Sequence, residues 1–237
     1  MRRSNTVYLL ALSAILIAVM FIFGFTPLGT ITTGALTITL MGIPVCIIAS
    51  VFGPIMGAFA GLVWGSISMI QAFIGMDATG TMLLNAPDIS WGTKITGLIF
   101  MCLVARILTG FLSGLFFDLV KRFDKRGYFA SLAAACSTSL FNTFFFMTFF
   151  CLFFFNTGTV QDGIVKPMLD KWPGATNPFI FVIAIIGVNF IVEFVVNAVV
   201  GSLASFGIDK AATRVGVFNP LPRLFVKKEV EAKAENI

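Results

Sequence analysis

Ile95–Leu119 reads ITGLIFMCLVARILTGFLSGLFFDL, an apolar run long enough to cross a bilayer with one arginine, Arg106, set inside it. A charge at membrane depth costs roughly 2.5–3.5 kcal/mol on insertion scales, so an arginine there marks a functional site whose partner has to be found. Gly110 and Gly114 follow at four-residue steps and share its helical face, where small residues admit close approach of another helix or of a ligand. Counted back from Lys121, which belongs at a membrane surface, Arg106 lies about 22 Å along the helix axis, toward the opposite surface. Two readings stand open here: a ligand-binding arginine, or one that snorkels or ties itself to helix carbonyls.

Composition agrees with that stretch: 58% of residues are hydrophobic and 11% charged, with a mean hydropathy of +0.98, which excludes a soluble domain. Six apolar runs stand out at Val7–Phe25, Leu36–Phe52, Pro54–Ile74, Ile95–Leu119, Phe129–Phe155 and Pro178–Phe206, the second being the shortest. They predict an all-α integral membrane bundle of six transmembrane helices. The net charge of +5 gathers at the ends of the runs, as topology signals do, which argues against nucleic-acid binding. With both termini cytoplasmic, Arg2, Arg3, Lys121, Arg122, Lys125, Arg126, Lys210 and Arg214 fall inside, while Lys166 and Lys171 outside are offset by Asp162 and Asp170. The reading is therefore a multi-pass cell-membrane protein with a membrane domain over 1–209 and a basic cytoplasmic tail over 210–237. The first run is read as a retained helix rather than a signal peptide, because no small-x-small cleavage site follows it.

No histidine occurs, which removes His-based metal sites, haem ligation and Ser-His catalysis. Cys46, Cys102, Cys136 and Cys151 fall inside apolar runs without metal-ligand spacing and read as packing residues. No metal, cofactor or catalytic group is expected, and with no phosphate-binding G-x-x-x-x-G-K-[ST] sequence any ATP must be used by partner subunits.

Polar and small residues inside the apolar runs locate the remaining candidates. Ala11, Ala14 and Ala18 line one side of the first run, a strip suited to another helix, within this chain or outside it. Thr30, Thr32, Thr33, Thr37 and Thr39 surround Gly34 in a partly alternating pattern that predicts a hairpin-like outer loop, either a lid over a pocket or a simple connection. Gly53, Gly57, Gly61 and Gly65 form a ridge on the third run, and Pro54 opens its helix. The following outer loop holds Asn85, Asp88 and Trp91, with Lys94 expected to snorkel beside the tryptophan.

In the fifth run Asn142 interrupts a series of phenylalanines expected to face lipid, and needs a partner from a helix, water or ligand. In the sixth, Asn189, Glu193 and Asn197 recur every four residues as one polar stripe. Glu193 lies at mid-membrane, where a carboxylate is expensive unless neutral or paired. Arg106 is one available cation, so a purely structural Arg–Glu bridge stays open.

The segment FTPLGTITTGALTITLMGIPVCIIASVFGPIMGAFAGLVWGSISMI resembles the N-terminal half of substrate-binding S components of energy-coupling factor (ECF) vitamin transporters. The resemblance rests on the proline after the first run, the TITL-like strand, Ile43–Pro44, the G-P-x-x-G at Gly53–Gly57 and the later ARILTGFLSGL, and it covers about residues 8 to 206. It implies the substrate-capture subunit of an ABC-type importer. Such a subunit takes a vitamin from outside and docks on a coupling protein with two ATPases, toppling in the membrane to release its load. In that family alanine-rich first helices contact the coupling protein, which assigns Ala11, Ala14 and Ala18 to docking, and the first loop gates the substrate. The subgroup most similar is the pantothenate type. Pantothenate offers a carboxylate for Arg106 and hydroxyl and amide groups for Asn142, Asn189 and the threonines, giving Arg106, Asn142, Asn189, Glu193, Thr37, Thr39 and Asn85 as candidate binding residues. Riboflavin or folate in the same kind of protein, and a solitary proton-coupled carrier built on Glu193, are the alternatives.

Overall fold

The computed structural model describes residues 2–27, 29–33, 36–124, 126–166 and 190–214. Helix α1 (Arg2–Phe25) leads into an antiparallel hairpin of β1 (Thr30–Thr33) and β2 (Leu36–Thr39), in the register Thr30↔Thr39, Ile31↔Ile38, Thr32↔Thr37 and Thr33↔Leu36. Then come α2 (Gly42–Phe52), α3 (Pro54–Phe73), the short α4 (Ala78–Asn85), and α5, which runs unbroken from Trp91 to Lys121. Helix α6 (Tyr128–Phe154) is followed by the single turn α7 (Gly158–Val160) and a π-helical stretch Gln161–Val165. The last described helix, α8, contains the span Phe190–Ala211, with a π-helical stretch Asn197–Gly201 ahead of the α-helix Ser202–Arg214.

Among the described residues, four helices are long and apolar enough to cross a membrane: α3, α5, α6 and the span in α8. The apolar part of α1, Leu10–Phe25, and α2 are shorter. The expected second span therefore divides. Leu36–Thr39 goes to the hairpin, where alternating β-branched residues suit a strand, and the 11 residues left as α2 are too few for a bilayer core of about 30 Å. The hairpin is also the departure from an all-α chain, at the place where the threonine pattern pointed to one. The beginning of the sixth run and the basic tail beyond Arg214 lie outside the described residues.

The turn between α2 and α3 is made by Gly53, whose φ of +89° suits glycine, and by Pro54 in the first turn of α3. From there α3 lies against α5 through two glycine stripes that face each other. A Cβ on Gly57 would overlap the carbonyl of Gly110, and one on Gly110 the carbonyl of Gly57. Gly61 meets the Arg106 carbonyl, Gly65 the Cys102 carbonyl and Gly114 the backbone of Pro54. The small face that Arg106 shares with Gly110 and Gly114 is thus filled by another helix rather than by a ligand. Hydroxyl groups join α5 to α6: Ser113 Oγ donates to Ala134 O at 2.9 Å and shares a 2.6 Å hydrogen bond with Thr138 Oγ1. At the far end, Lys121 Nζ pairs with Asp209 Oδ2 at 2.5 Å and ties α5 to α8.

The phenylalanines of α6 divide between outside and core. Phe144 is exposed, whereas Phe150 and Phe154 are buried with Leu83, Ile89 and Met101. Lys94 does sit over the Trp91 ring, at 4.9 Å, yet it is buried, because its ammonium donates to Leu84 O in the last turn of α4. Asp88 fixes the next connection: the Thr159 hydroxyl and N–H both donate to its carboxylate and hold it below the usual carboxylate range. The four cysteines are free thiols, with Cys46 and Cys102 buried.

Because α3 and α5 touch backbone to backbone, Gly57→Val or Gly110→Val is expected to destabilise the ligand-free protein by about 1–3 kcal/mol or more. Thermal unfolding in detergent checks this. A control substitution, Gly92→Ala, adds a methyl group to a helical position where nothing lies within 4 Å of it and should not lower the melting temperature.

Candidate functional site

The site is built where α3, α5, α6, α8 and the end of the hairpin converge. Its centre depends on an irregularity in α5. Ile99–Val104 is π-helical, so the Ala105 N–H bonds back five residues to Phe100 O before α-helical spacing resumes. A change from i−5 to i−4 bonding passes over one carbonyl in the ladder. The next carbonyl, Met101 O, takes its hydrogen bond from Nη1 of the Arg106 side chain. Part of the guanidinium thus replaces a missing backbone donor, which is the helix-carbonyl role considered above.

The rest of the guanidinium is not used in that way. Arg106 is buried, and its Nε has no hydrogen-bond partner. Its Cζ lies over the rings of Trp64 on α3 and Phe146 on α6, at 5.3 Å from each centroid. Aromatic faces compensate a desolvated cation in part, through the ring quadrupole, but they satisfy no N–H. One turn before Phe146 on α6, Asn142 is also buried and its Oδ1 has no partner.

Across from α6, Glu193 on α8 is buried and accepts a hydrogen bond through Oε1 from the Thr39 N–H at 2.8 Å. The exit of β2 is thereby tethered to the last helix. Thr39 Oγ1 in turn accepts from the Met41 N–H at 3.3 Å, fixing the entry to α2. Ser139 Oγ donates to the Glu193 carbonyl at 3.4 Å and accepts from Asn197 Nδ2 at 2.7 Å. Since the single Ser139 proton is committed to that carbonyl, the Asn197 atom facing Ser139 must be the donor nitrogen, which leaves Oδ1 as an acceptor without a partner. Gly42 makes room for this amide, because a Cβ there would come within 2.6 Å of Asn197 Nδ2.

Arg106 and Glu193 do not form an ion pair. Lys121 pairs with Asp209 and Lys166 with Asp162 instead. Arg106 spends one N–H on Met101 and Glu193 accepts from Thr39, so the structural Arg–Glu bridge is absent. Both side chains are buried, each held by a hydrogen bond to backbone rather than by the other.

The other candidates are placed as follows. Asn189 lies outside the described residues. Thr37 pairs with Thr32 in the hairpin, and nothing further defines its place in the cluster. Asn85 is the last residue of α4 and is exposed, apart from the buried polar group. Ala11, Ala14 and Ala18 are exposed on α1, alongside exposed Leu10, Ile15 and Ile22. Sequence reasoning missed Trp64, Phe146 and Ser139. Ser139 and Phe146 stand three and four residues from Asn142, which was the available signal; Trp64, next to Gly65 of the ridge, carried none.

Among the described residues the arrangement supplies hydrogen-bond donors, acceptors and a buried cation. The family model described as "ECF transporter, substrate-specific component" matches residues 9–204. No curated protein sequence matches the chain. With most of its length matched and its helices built to lie in a membrane, the chain belongs to the ECF transporter substrate-specific components, which are transport subunits rather than enzymes.

Proposed function

We propose that this subunit captures a vitamin, acidic pantothenate before folate or the neutral riboflavin, at Arg106 and passes it inward after docking on an ATP-driven module. One observation carries the reading: a buried guanidinium that has an unpartnered Nε, beside a buried asparagine carbonyl that also has no partner. The guanidinium calls for an acceptor, and Asn142 Oδ1 for a donor. A carboxylate with hydroxyl or amide groups beyond it supplies both. Glu193 stands on the helix joined to α6 at Ser139 and holds Thr39 at the exit of β2, so the hairpin serves as the gate.

Family membership implies docking with a coupling module and ATPases. The exposed side of α1 with Ala11, Ala14 and Ala18 is the surface suited to it, since small residues let a partner helix approach closely. In this reading six segments cross the cell membrane, the second being Leu36–Phe52 with β2 and α2 taken together, and both termini are cytoplasmic. The tail from 210 to 237 lies inside, and ATP is used only by partners. A solitary carrier would instead show uptake into proteoliposomes without any ATPase.

Charge-assisted hydrogen bonds contribute about 1.5–3 kcal/mol each, so Arg106→Ala should weaken pantothenate binding by roughly tenfold to a hundredfold or more, and Arg106→Lys should restore only part. Calorimetry on the purified protein measures both, and native-like affinity in a folded Arg106→Ala protein would remove Arg106 from the site. Ala14→Trp should leave binding intact and abolish uptake by the assembled transporter; normal uptake would exclude this face from docking. Cysteines at Gly163, which has open space around it, and at Phe123, which is 83% exposed, should react with an impermeant thiol reagent from opposite sides of the membrane. Labelling of both from one side would overturn the topology.

A further inference from the structure

The guanidinium plane of Arg106 is restrained from three directions, and the restraints differ in kind. Met101 O holds Nη1 from within α5, while the Trp64 and Phe146 rings reach Cζ from α3 and α6. In an arginine Nη1 lies on the Cδ side, so Nε and Nη2 share the other edge and present two parallel N–H groups. That is the edge without hydrogen bonds among the described residues, and its Nε is buried. A carboxylate matches such an edge with both oxygens in plane, whereas a carboxamide presents one oxygen and an NH₂ that meets the donors head-on.

We propose that Trp64 and Phe146 are positioning residues that determine specificity: they fix the plane of Arg106 so that its Nε–Nη2 edge takes a planar carboxylate in one orientation. The inference rests on Arg106 being the ligand anchor. Trp64 is 2% exposed, so its ring has nowhere to turn, and it fills space that no other described aromatic side chain supplies on α3 near Arg106. Phe146 is only half-buried and shares the Asn142 face of α6, so it both supports the guanidinium and borders the unpartnered amide. Without the rings, Arg106 would keep its charge but lose its aim. Discrimination between an acid and its amide would fall while general attraction for the rest of the ligand remained.

The test uses pantothenate and its primary carboxamide as probes, with the native protein, Trp64→Leu, Phe146→Leu, Arg106→Ala and the two double variants. Each ring variant should weaken pantothenate binding by about three- to thirtyfold, as loss of a desolvated cation–π contact predicts, and leave carboxamide binding in place. In the Arg106→Ala background the ring changes should have no further effect on acid against amide. Equal losses for both probes, or undiminished losses without Arg106, would overturn the positioning role. Native-like pantothenate binding by Arg106→Ala would instead overturn the anchor on which it rests. A second measurement needs no ligand and guards against a poorly folded Trp64→Leu: ¹⁵N NMR of the Arg106 side chain in the ligand-free protein. Rotation about Cζ–Nε should be slow in the native protein and faster in Phe146→Leu, and equal rates would overturn the proposal.

Discussion

Contact between the backbones of α3 and α5 is the constraint from which the site follows. In a membrane, helices gain little from hiding apolar side chains, since lipid is as apolar as leucine, and close packing of small residues takes over as a source of attraction. Gly57 against Gly110, Gly61 against the Arg106 carbonyl and Gly65 against the Cys102 carbonyl leave no room for a side chain between the two helices. The Arg106 side chain must therefore leave the contact. It meets the ring of Trp64, which projects from the turn between Gly61 and Gly65, and the ring of Phe146 on α6. The same glycines that admit the helix set the direction of the charge.

The π-helical stretch of α5 answers a second demand. A guanidinium carries five N–H donors, and few can be satisfied in an apolar bundle whose carbonyls are used by the helices themselves. Changing the ladder from i−5 to i−4 exposes one carbonyl, Met101 O, within reach of the arginine five residues later. That bond makes a buried Arg106 tolerable when no ligand is bound, yet it consumes only one donor and leaves Nε open. An arginine fully satisfied by carbonyls would be structural; one with no protein partner would be too costly to keep buried.

Much of this was legible in the sequence, but unevenly. Arg106, Asn142 and Glu193 announced themselves because a polar group in an apolar run has few innocent explanations, and all three are buried on helices that meet. The glycine stripes were legible as close-packing faces, but two stripes in separate runs do not say that they face each other. The hairpin was legible from its threonines, while apolar content alone carried Leu36–Phe52 into one helix. Period and composition compete there, and the β-branched alternation won over the first four residues. Trp64 and Phe146 were illegible for a different reason. A chain with 28 phenylalanines and 3 tryptophans offers no way to tell, from spacing, which ring stacks on a cation and which faces lipid.

A binding subunit has to carry polar groups that its own fold leaves unsatisfied, because a site complete in itself would offer a ligand nothing. Arg106 Nε, Asn142 Oδ1 and Asn197 Oδ1 are such groups, and each buried orphan costs about 1–3 kcal/mol, more when charged. The rest of the bundle offsets that cost away from the site, through the α3–α5 contact, the Ser113–Thr138 hydroxyl pair and the Lys121–Asp209 ion pair. Glu193 belongs to both parts, since its backbone carbonyl is held by Ser139 while its carboxylate holds the hairpin at Thr39. On the proposed function, a ligand that satisfies the orphans stabilises the bound state in proportion to what the fold leaves unmet, and a hairpin tied to Glu193 is placed to register the difference. On that function, affinity and gating draw on one source, the hydrogen-bonding capacity that the fold leaves unmet.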